Sequence, residues 1–498
     1  MKLKSLLSIP FAHFIVKRTK KWSKNPIETQ KKVFNQLIEV GKKTAFGIDH
    51  NFHEIKNHQD FVARVPIREY EGFQNYIERI KSGEENVLWK GLPIYLSKTS
   101  GTTSGAKYIP ITKESIPFHI NAARDSILHY IDETKNAEIV DGKMIFLQGN
   151  PTLDTSGKIP VGRLSGIVAH HVPAYLQKNR LPSLKTNTID DWEQKVDAVC
   201  RETLNQPMTL ISGIPPWVQM YFERLLELSG NESISKVFPD FSLFIFGGVN
   251  YEPYRQNMER LIGKKVDSIE LYPASEGFIA FQDKQNEEGM LLLLNSGIFY
   301  EFIPAEEFFD ENPTRITIEA VKLNQNYVII LNTNAGLWGY NIGDTVRFVS
   351  LAPYRIVVSG RIKHFTSAFG EHVIAEEAEK ALTFACQQTG IEVVEFHLAP
   401  QLNPGGDELP FHQWFIEFES EVSDLKSFTQ HIHQKMMELN SYYKDLVDGK
   451  MLQELKIKVL KRGAFNSYMK ENGKLGGQNK LPRLANDRKI AYVLERIG

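Results

Sequence analysis

Short apolar runs alternate with amphipathic segments through the middle of the chain. KMIFLQ at 143–148, MTLISG at 208–213 and SLFIFGG at 242–248 read as buried strands, with helical spacing near 190–206 and from Pro216 to Leu228. This alternation predicts βα units and a largely parallel sheet. Upstream, Val33, Leu37, Ile38 and Val40 recur at helical spacing, the segment to Ser82 reads as helical packing, and Glu114 to Ile131 reads as a helix. Downstream, RITIEAV, NYVIILNT, TVRFV and YRIVVSG form a strand-rich stretch. From about Lys363 the pattern changes to a smaller α+β unit, with helices through AEEAEKALTFACQQ and Val422 to Leu439 and strands at EVVEFHLA, QWFIEFE and LKIKVL. The expected fold is therefore α/β, with a large domain over 1–362 and a smaller, mobile one over 363–498.

Composition narrows the function classes. With 498 residues, 42% of them hydrophobic, the chain can bury more than one core. A net charge of −1 from 59 basic and 60 acidic residues gives no electrostatic reason for a nucleic-acid partner. Cys200 and Cys386 cannot build a disulfide framework and have no metal-ligand spacing, so a cytoplasmic location is expected. His170, His171, His431 and His433 lack convergent carboxylate or Cys partners and read as packing or surface residues. The N-terminal MKLKSLLSIPFAHFIVKRTKKW is interrupted by Pro10 and His13 and is followed by no small-residue cleavage site. It reads as a packing or surface helix, with peripheral membrane contact a minor alternative and no stable insertion.

Four stretches carry candidate chemistry. YLSKTSGTTSGAKYIPIT, Tyr95 to Thr112, breaks from an apolar run into small hydroxylated residues. Thr99, Ser100, Gly101, Thr102, Thr103 and Ser104 offer hydroxyls and unobstructed backbone N–H groups, and Lys107 a charge, as an anion cradle does. An ordinary Ser/Thr/Gly loop has the same composition. The helix expected from Glu114 would put the loop in a sheet-loop-helix setting. At Phe244 to Gly263 a strand ends on Gly247, Gly248 and Val249, where a flat group fits bare backbone, or where the chain simply turns. SIELYPASEGFIAFQ supplies Tyr272, Pro273, Ala274, Ser275 and Glu276, the last either a cation ligand or a carboxylate at a helix N-terminus. LWGYNIGDTVRFV places Asp344 after a glycine, suited to a ribose diol or to a hairpin turn, and VVSGRIKHF adds Arg361.

Taken in order, TSGTTSGAK, YPASEG, YNIGD and SGR resemble the successive nucleotide motifs of adenylate-forming enzymes. YPASE, YNIGD and the C-terminal RGAFNSYMKENGKLGGQNKLPRL are most similar to the Gretchen Hagen family of acyl-acid amido synthetases, the auxin-responsive-promoter family. The resemblance implies a large adenylate-forming N-terminal domain with mainly parallel sheets plus a β-rich subdomain, and a mobile C-terminal domain. It further implies ATP and Mg2+, with Thr99, Ser100, Thr102 and Thr103 near the phosphates, Tyr272 by the adenine, Glu276 on magnesium, Asp344 on ribose and Lys480 on the α-phosphate and acyl carboxylate. Two departures stand out: one residue separates Gly105 from Lys107 where plant members have two, and Asn341 replaces an Arg.

The reaction so implied joins a carboxylic acid, through its adenylate, to an amine such as an amino acid. A thioester-forming acyl-CoA ligase and a non-catalytic nucleotide-binding module are the alternatives. Ile214, Pro215 and Trp217 are candidates for the acyl pocket or for the core of a buried helix face. A monomer or weak dimer is expected.

Overall fold

Helical spacing at the N-terminus becomes helices Leu3–Ser23, Pro26–Gly41 and Ala45–Asp49 in the computed structural model. The model describes residues 3–99, 106–172, 177–189, 191–248, 251–362, 373–402, 404, 408–448, 451–475 and 481–497. They form two units, 1–249 with 261–357, and 250–260 with 358–498. The helix that follows the Gly247-Gly248 pair thus packs with the second unit, an excursion that a division at 362/363 does not contain.

The first unit is built on one sheet of eleven described strands. Arg180–Leu181, Lys143–Phe146, Met208–Ser212, Leu243–Gly247 and Asp267–Ala274 lie side by side in that order and run parallel. Asp267–Ala274 then turns into Gly277–Phe281, and the pairings of Gly277–Phe281 with Met290–Leu292, of Met290–Leu292 with Tyr354–Arg361, and of Asn326–Thr333 with both Tyr340–Leu351 and Ile298–Pro304 are antiparallel. The βα alternation is accordingly one half of the sheet; in the other, NYVIILNT, TVRFV and YRIVVSG lie in Asn326–Thr333, Tyr340–Leu351 and Tyr354–Arg361, whereas RITIEAV is not a strand and makes only an isolated bridge from Ile316 to Phe302. Continuous apolar runs such as LFIF at 243–246 are buried on both faces, as strands covered by helices must be.

The helix Pro26–Gly41 fixes the antiparallel half. Its buried Val33, Phe34, Leu37 and Ile38 join an aromatic core with Phe46, Phe52, Phe73 and Trp338. Gln30, buried in the same helix, donates to Leu294 O at 2.7 Å and Ile298 O at 2.9 Å and accepts from Tyr300 N at 2.9 Å. A buried amide with all three bonds made costs little and ties helix to strand.

In the second unit, Val393–Gln401, Phe411–Phe418 and Lys456–Leu460 form a three-stranded sheet. Its period-2 pattern separates two cores. Trp414, Ile416 and Phe418 face the helices Ala375–Thr389 and Leu425–Leu439, while Phe415 and Leu460 face Ala464–Glu471 and Lys489–Ile497.

Candidate active site

The hydroxyl-rich loop sits on a hairpin. Tyr95–Thr99 pairs antiparallel with Lys107–Ile111, setting Thr99 opposite Lys107 at the two ends of the loop. Ser100, Gly101, Thr102, Thr103 and Ser104 lie outside the described residues. The expected sheet-loop-helix arrangement is corrected here. The β-branched and aromatic KYIPI continues as a strand, and the helix Ile116–Thr134 begins only after it, with a proline in its first turn. No helix N-terminus therefore directly follows the loop. Ser97, buried on the first strand, reaches Ser275 with 2.9 Å between the hydroxyl oxygens.

Ser275 and Glu276 are the two-residue turn of a second hairpin. Ala274 pairs with Gly277, and an irregularity between Tyr272 and Pro273 adjusts the register. The alternative of a helix N-terminus at Glu276 is thereby excluded. A Cβ at Gly277 would come within 2.5 Å of Ile298 Cδ1, so a larger residue there would have to displace the tip of that side chain. Glu276 is buried, and Tyr340 donates its hydroxyl to Glu276 Oε1 at 3.1 Å. Burial pushes this carboxyl above its ordinary range. Its own backbone N–H, the Lys107 ammonium and the Tyr340 hydroxyl oppose that shift, and the charge of Asp344 adds to it.

Asp344 comes from a bulge rather than from a hairpin turn. In the strand Tyr340–Leu351, Asn341 lies opposite Ile330 and Thr345 opposite Val328, so Ile342, Gly343 and Asp344 bulge against Ile329 alone. Gly343 takes φ +90°, where other residues are strained, and its N–H donates to Asn341 Oδ1 at 2.8 Å. The residue that departs from the family pattern therefore braces the bulge. Tyr272, buried, donates its hydroxyl to Asp344 Oδ2 at 2.5 Å. Asn332 holds the approach to this strand, accepting from Gly339 N at 2.6 Å and donating to Glu301 Oε2 at 2.9 Å.

The loop hairpin, the Ser275-Glu276 turn and the Asp344 bulge thus meet through Ser97, Lys107, Tyr272 and Tyr340. Ser97 and Tyr340 are additions to the sequence reading. Tyr340 opens the YNIGD motif and so had a signal; Ser97 reads as one more polar residue of a half-buried strand. Gly247 ends the neighbouring parallel strand, where a Cβ would stand 2.4 Å from Leu271 O, and Gly248 has φ +82°. Both lie at the carboxyl edge of parallel strands, the edge at which open α/β sheets bind ligands. Val249 lies outside the described residues.

The remaining candidates lie on other segments of the chain. Ile214 is the N-cap of the helix Pro215–Ser229 and Pro215 opens it, both just past the carboxyl end of Met208–Ser212. Trp217 is buried with its ring 4.7 Å from that of Trp192, a packing contact between two helices. Arg361 is exposed at the end of Tyr354–Arg361 and belongs to the second unit. Lys480 lies outside the described residues. The segment after it is pinned: Leu398 N donates to Arg483 O at 2.7 Å, Ala485 N to Leu398 O at 3.0 Å, and Pro482 O lies 2.7 Å from His397 Nδ1. Buried Arg483 bonds Glu379, Glu395 and the Tyr254 hydroxyl.

Among the described residues no group of three or more His, Cys, Asp or Glu could hold a metal by itself. His171 instead lies 3.1 Å from the Tyr95 hydroxyl. Glu276 nonetheless fits magnesium as that ion is bound with a nucleotide. It is a single hard, buried carboxylate whose ionised form a cation would favour, with phosphate oxygens and water completing the shell.

A sheet half parallel and half antiparallel, in a chain with a smaller α+β unit, is a fold shared with solved acid-activating ligases. A 2-hydroxyisobutyryl-CoA ligase bound to its acyl-adenylate has the same fold, with TM-score 0.62 and 12% identity over 94% of this chain and 91% of that one. The chain belongs to the GH3 family: it matches the GH3 family N-terminal domain at 15–184, the central domain at 291–361 and the C-terminal domain at 376–489. It is similar to the indole-3-acetic acid-amido synthetase GH3.15 of Arabidopsis thaliana, 22% identical with 88% of this chain and 87% of that protein covered. It is also similar to the jasmonoyl–L-amino acid synthetase JAR4 of Nicotiana attenuata, at 21% with 93% and 91% covered. The solved structure of the GH3.15 acyl acid amido synthetase superposes with TM-score 0.79 at 15% identity, over 97% of this chain and 95% of that one.

Proposed function

We propose that the chain is an ATP-dependent acyl-acid amido synthetase. A carboxylate oxygen of the acid attacks the α-phosphorus of ATP, and the bond to pyrophosphate breaks. The amine nitrogen of an amino acid then attacks the acyl carbon of the adenylate, loses a proton and expels AMP. The observation that carries this reading is the meeting of Glu276, Asp344 and Lys107 from three distant segments around one buried edge of the sheet. The amido synthetase names of relatives that cover most of the chain support it.

In this reading Thr99 and the loop hydroxyls, with Lys107, hold the phosphates. Gly247, Gly248, Val249, Tyr272, Pro273, Ala274 and Ser275 border the adenine and ribose, Asp344 accepts from the ribose diol, and Arg361 bonds phosphate or ribose oxygens. Glu276 would hold Mg2+, which neutralises phosphate charge when bound. Lys480, carried by the mobile 363–498 domain, bridges the α-phosphate and the acyl carboxylate, while Ile214, Pro215 and Trp217 line the acyl pocket. Positioning and charge neutralisation supply most of the first step, since the reactants provide the bonds. The enzyme works in the cytoplasm as a monomer or weak dimer.

ATP–pyrophosphate exchange across a panel of aromatic, fatty and jasmonate-like acids tests the first half-reaction, and product analysis with amino acids against coenzyme A tests the second. Acid-dependent exchange with amide product is expected. Thioester alone would make the chain an acyl-CoA ligase, and absence of exchange with every acid would refute adenylation. Lys480→Ala should slow exchange by about 10²-fold or more, the scale of one lost preorganised donor.

A further inference from the structure

The helix Leu3–Ser23 has two unlike faces. Ser5, Ala12, Ile15, Val16 and Thr19 are buried on one of them, facing helix Ile116–Thr134 and its surroundings. Ser5 Oγ donates to Asp141 Oδ2 at 2.9 Å and Thr19 Oγ1 lies 3.1 Å from His129 Nε2, so this side is held by polar bonds as well as by packing. The opposite side carries Leu3, Leu7, Phe11 and Phe14 at the i, i+4, i+8, i+11 spacing of one helical stripe, with Leu6 at its border. Leu3 is 72% exposed, Leu7 62%, Leu6 54%, Phe14 53% and Phe11 42%. Five large apolar side chains so displayed over three turns form a patch of the size that marks an interaction surface.

The charges around the stripe state what it meets. Leu3–Ser23 contains Lys4, Lys17, Arg18, Lys20 and Lys21 and no carboxylate, in a chain whose net charge is −1. Lys17, Arg18 and Lys21 continue the apolar stripe on the same side toward the C-terminal end, and Arg18 lies over the Phe14 ring at 5.8 Å. Of its acidic neighbours, Asp125 beside Arg18 and Asp132 beside His13 at 3.4 Å belong to the supporting helix Ile116–Thr134, and Asp141, bonded to Ser5, lies on the buried side. A wholly apolar groove on a protein partner would leave these five cations unmatched. An interface where acyl chains lie beneath anionic headgroups matches both halves, Leu and Phe below and Lys and Arg at headgroup level.

We infer that the exposed side of the Leu3–Ser23 helix seats the enzyme on anionic phospholipid surfaces. The helix lies on the bilayer and does not cross it, since no described helix is long and apolar enough to span one. Docking by this face is independent of the adenylation chemistry, and its outcome does not depend on that of the exchange assay.

The full chain should co-sediment with vesicles of phosphatidylcholine containing about one third phosphatidylglycerol, and bind pure phosphatidylcholine vesicles on the order of tenfold more weakly. Raised salt should weaken binding to the mixed vesicles. The triple variant Leu7→Ser, Phe11→Ser, Phe14→Ser should lose about tenfold or more in affinity with unchanged thermal unfolding, because each replaced side chain is exposed. The variant Lys17→Gln, Lys20→Gln, Lys21→Gln should lose a similar factor and decides the matter if the serine variant misfolds. Failure of the wild-type chain to co-sediment, or equal binding by the charge variant, overturns the inference. So does a wild-type dimer that the serine substitutions dissolve without any vesicle binding, which would assign the stripe to a second copy of the chain.

Discussion

Two buried glutamates on the same sheet are treated in opposite ways. Glu301, fully buried on Ile298–Pro304, receives Arg315 at 3.0 and 2.7 Å, His58 at 2.8 Å and Asn332 at 2.9 Å. Arg315 and His58 overcome the effect of burial and hold its carboxyl down at about 2. Among the described residues Glu276 has its own backbone N–H, one hydroxyl donor, the Lys107 ammonium and a second carboxylate nearby, and burial prevails. The first is a completed ion network that fixes strands. The second is a carboxylate whose burial its described neighbours do not offset, the condition in which it has most to gain from an arriving cation.

The comparison is broken most forcefully at Arg315. Arg315→Met leaves Glu301 buried without its main partner and should cost about 3–5 kcal/mol of stability, read from urea unfolding. Next comes Glu276→Gln, which should slow ATP–pyrophosphate exchange by about 10²-fold or more. A variant that exchanges at the wild-type rate would remove Glu276 from the chemistry. The pH dependence of unfolding has a definite sign at Glu301. Its folded value lies below the ordinary 4.5, so the stabilisation is present above that value and is lost as pH falls toward about 2. The difference amounts to about 3 kcal/mol, and Glu301→Gln should flatten this acid limb. The smallest effect sharpens the contrast: Glu276→Gln should leave stability at neutral pH unchanged or raise it by about 1 kcal/mol, because it deletes a buried charge that lacks a full set of partners.

The strands of the parallel half were legible because each is an apolar run too short for a helix, and KMIFLQ, MTLISG and SLFIFGG became Lys143–Phe146, Met208–Ser212 and Leu243–Gly247. Local signals were ambiguous where one residue pattern serves two geometries. Gly-Asp marks a hairpin turn and a bulge equally, and only the pairing of Thr345 with Val328 and Asn341 with Ile330 separates them. Lys107–Ile111 was overlooked as a strand because it is five residues long and contains Pro110. The Ser97–Ser275 bond spans 178 positions and has no local signature at all. Nor does the balance around Glu276 and Glu301, since a carboxylate's value is set by what the fold brings to it.

The polypeptide passes between its two units three times, at 249/250, 260/261 and 357/358. Within the second unit, Tyr254 donates its hydroxyl to Glu395 and accepts from Arg483, and Arg260 bonds Glu419. A fragment beginning at 358 would therefore lack the 250–260 segment, leaving Arg483 without the Tyr254 hydroxyl as a partner and Glu395 without the bond it accepts from that hydroxyl. Complementation by two separately expressed pieces should require the 250–260 segment to be supplied with the C-terminal piece.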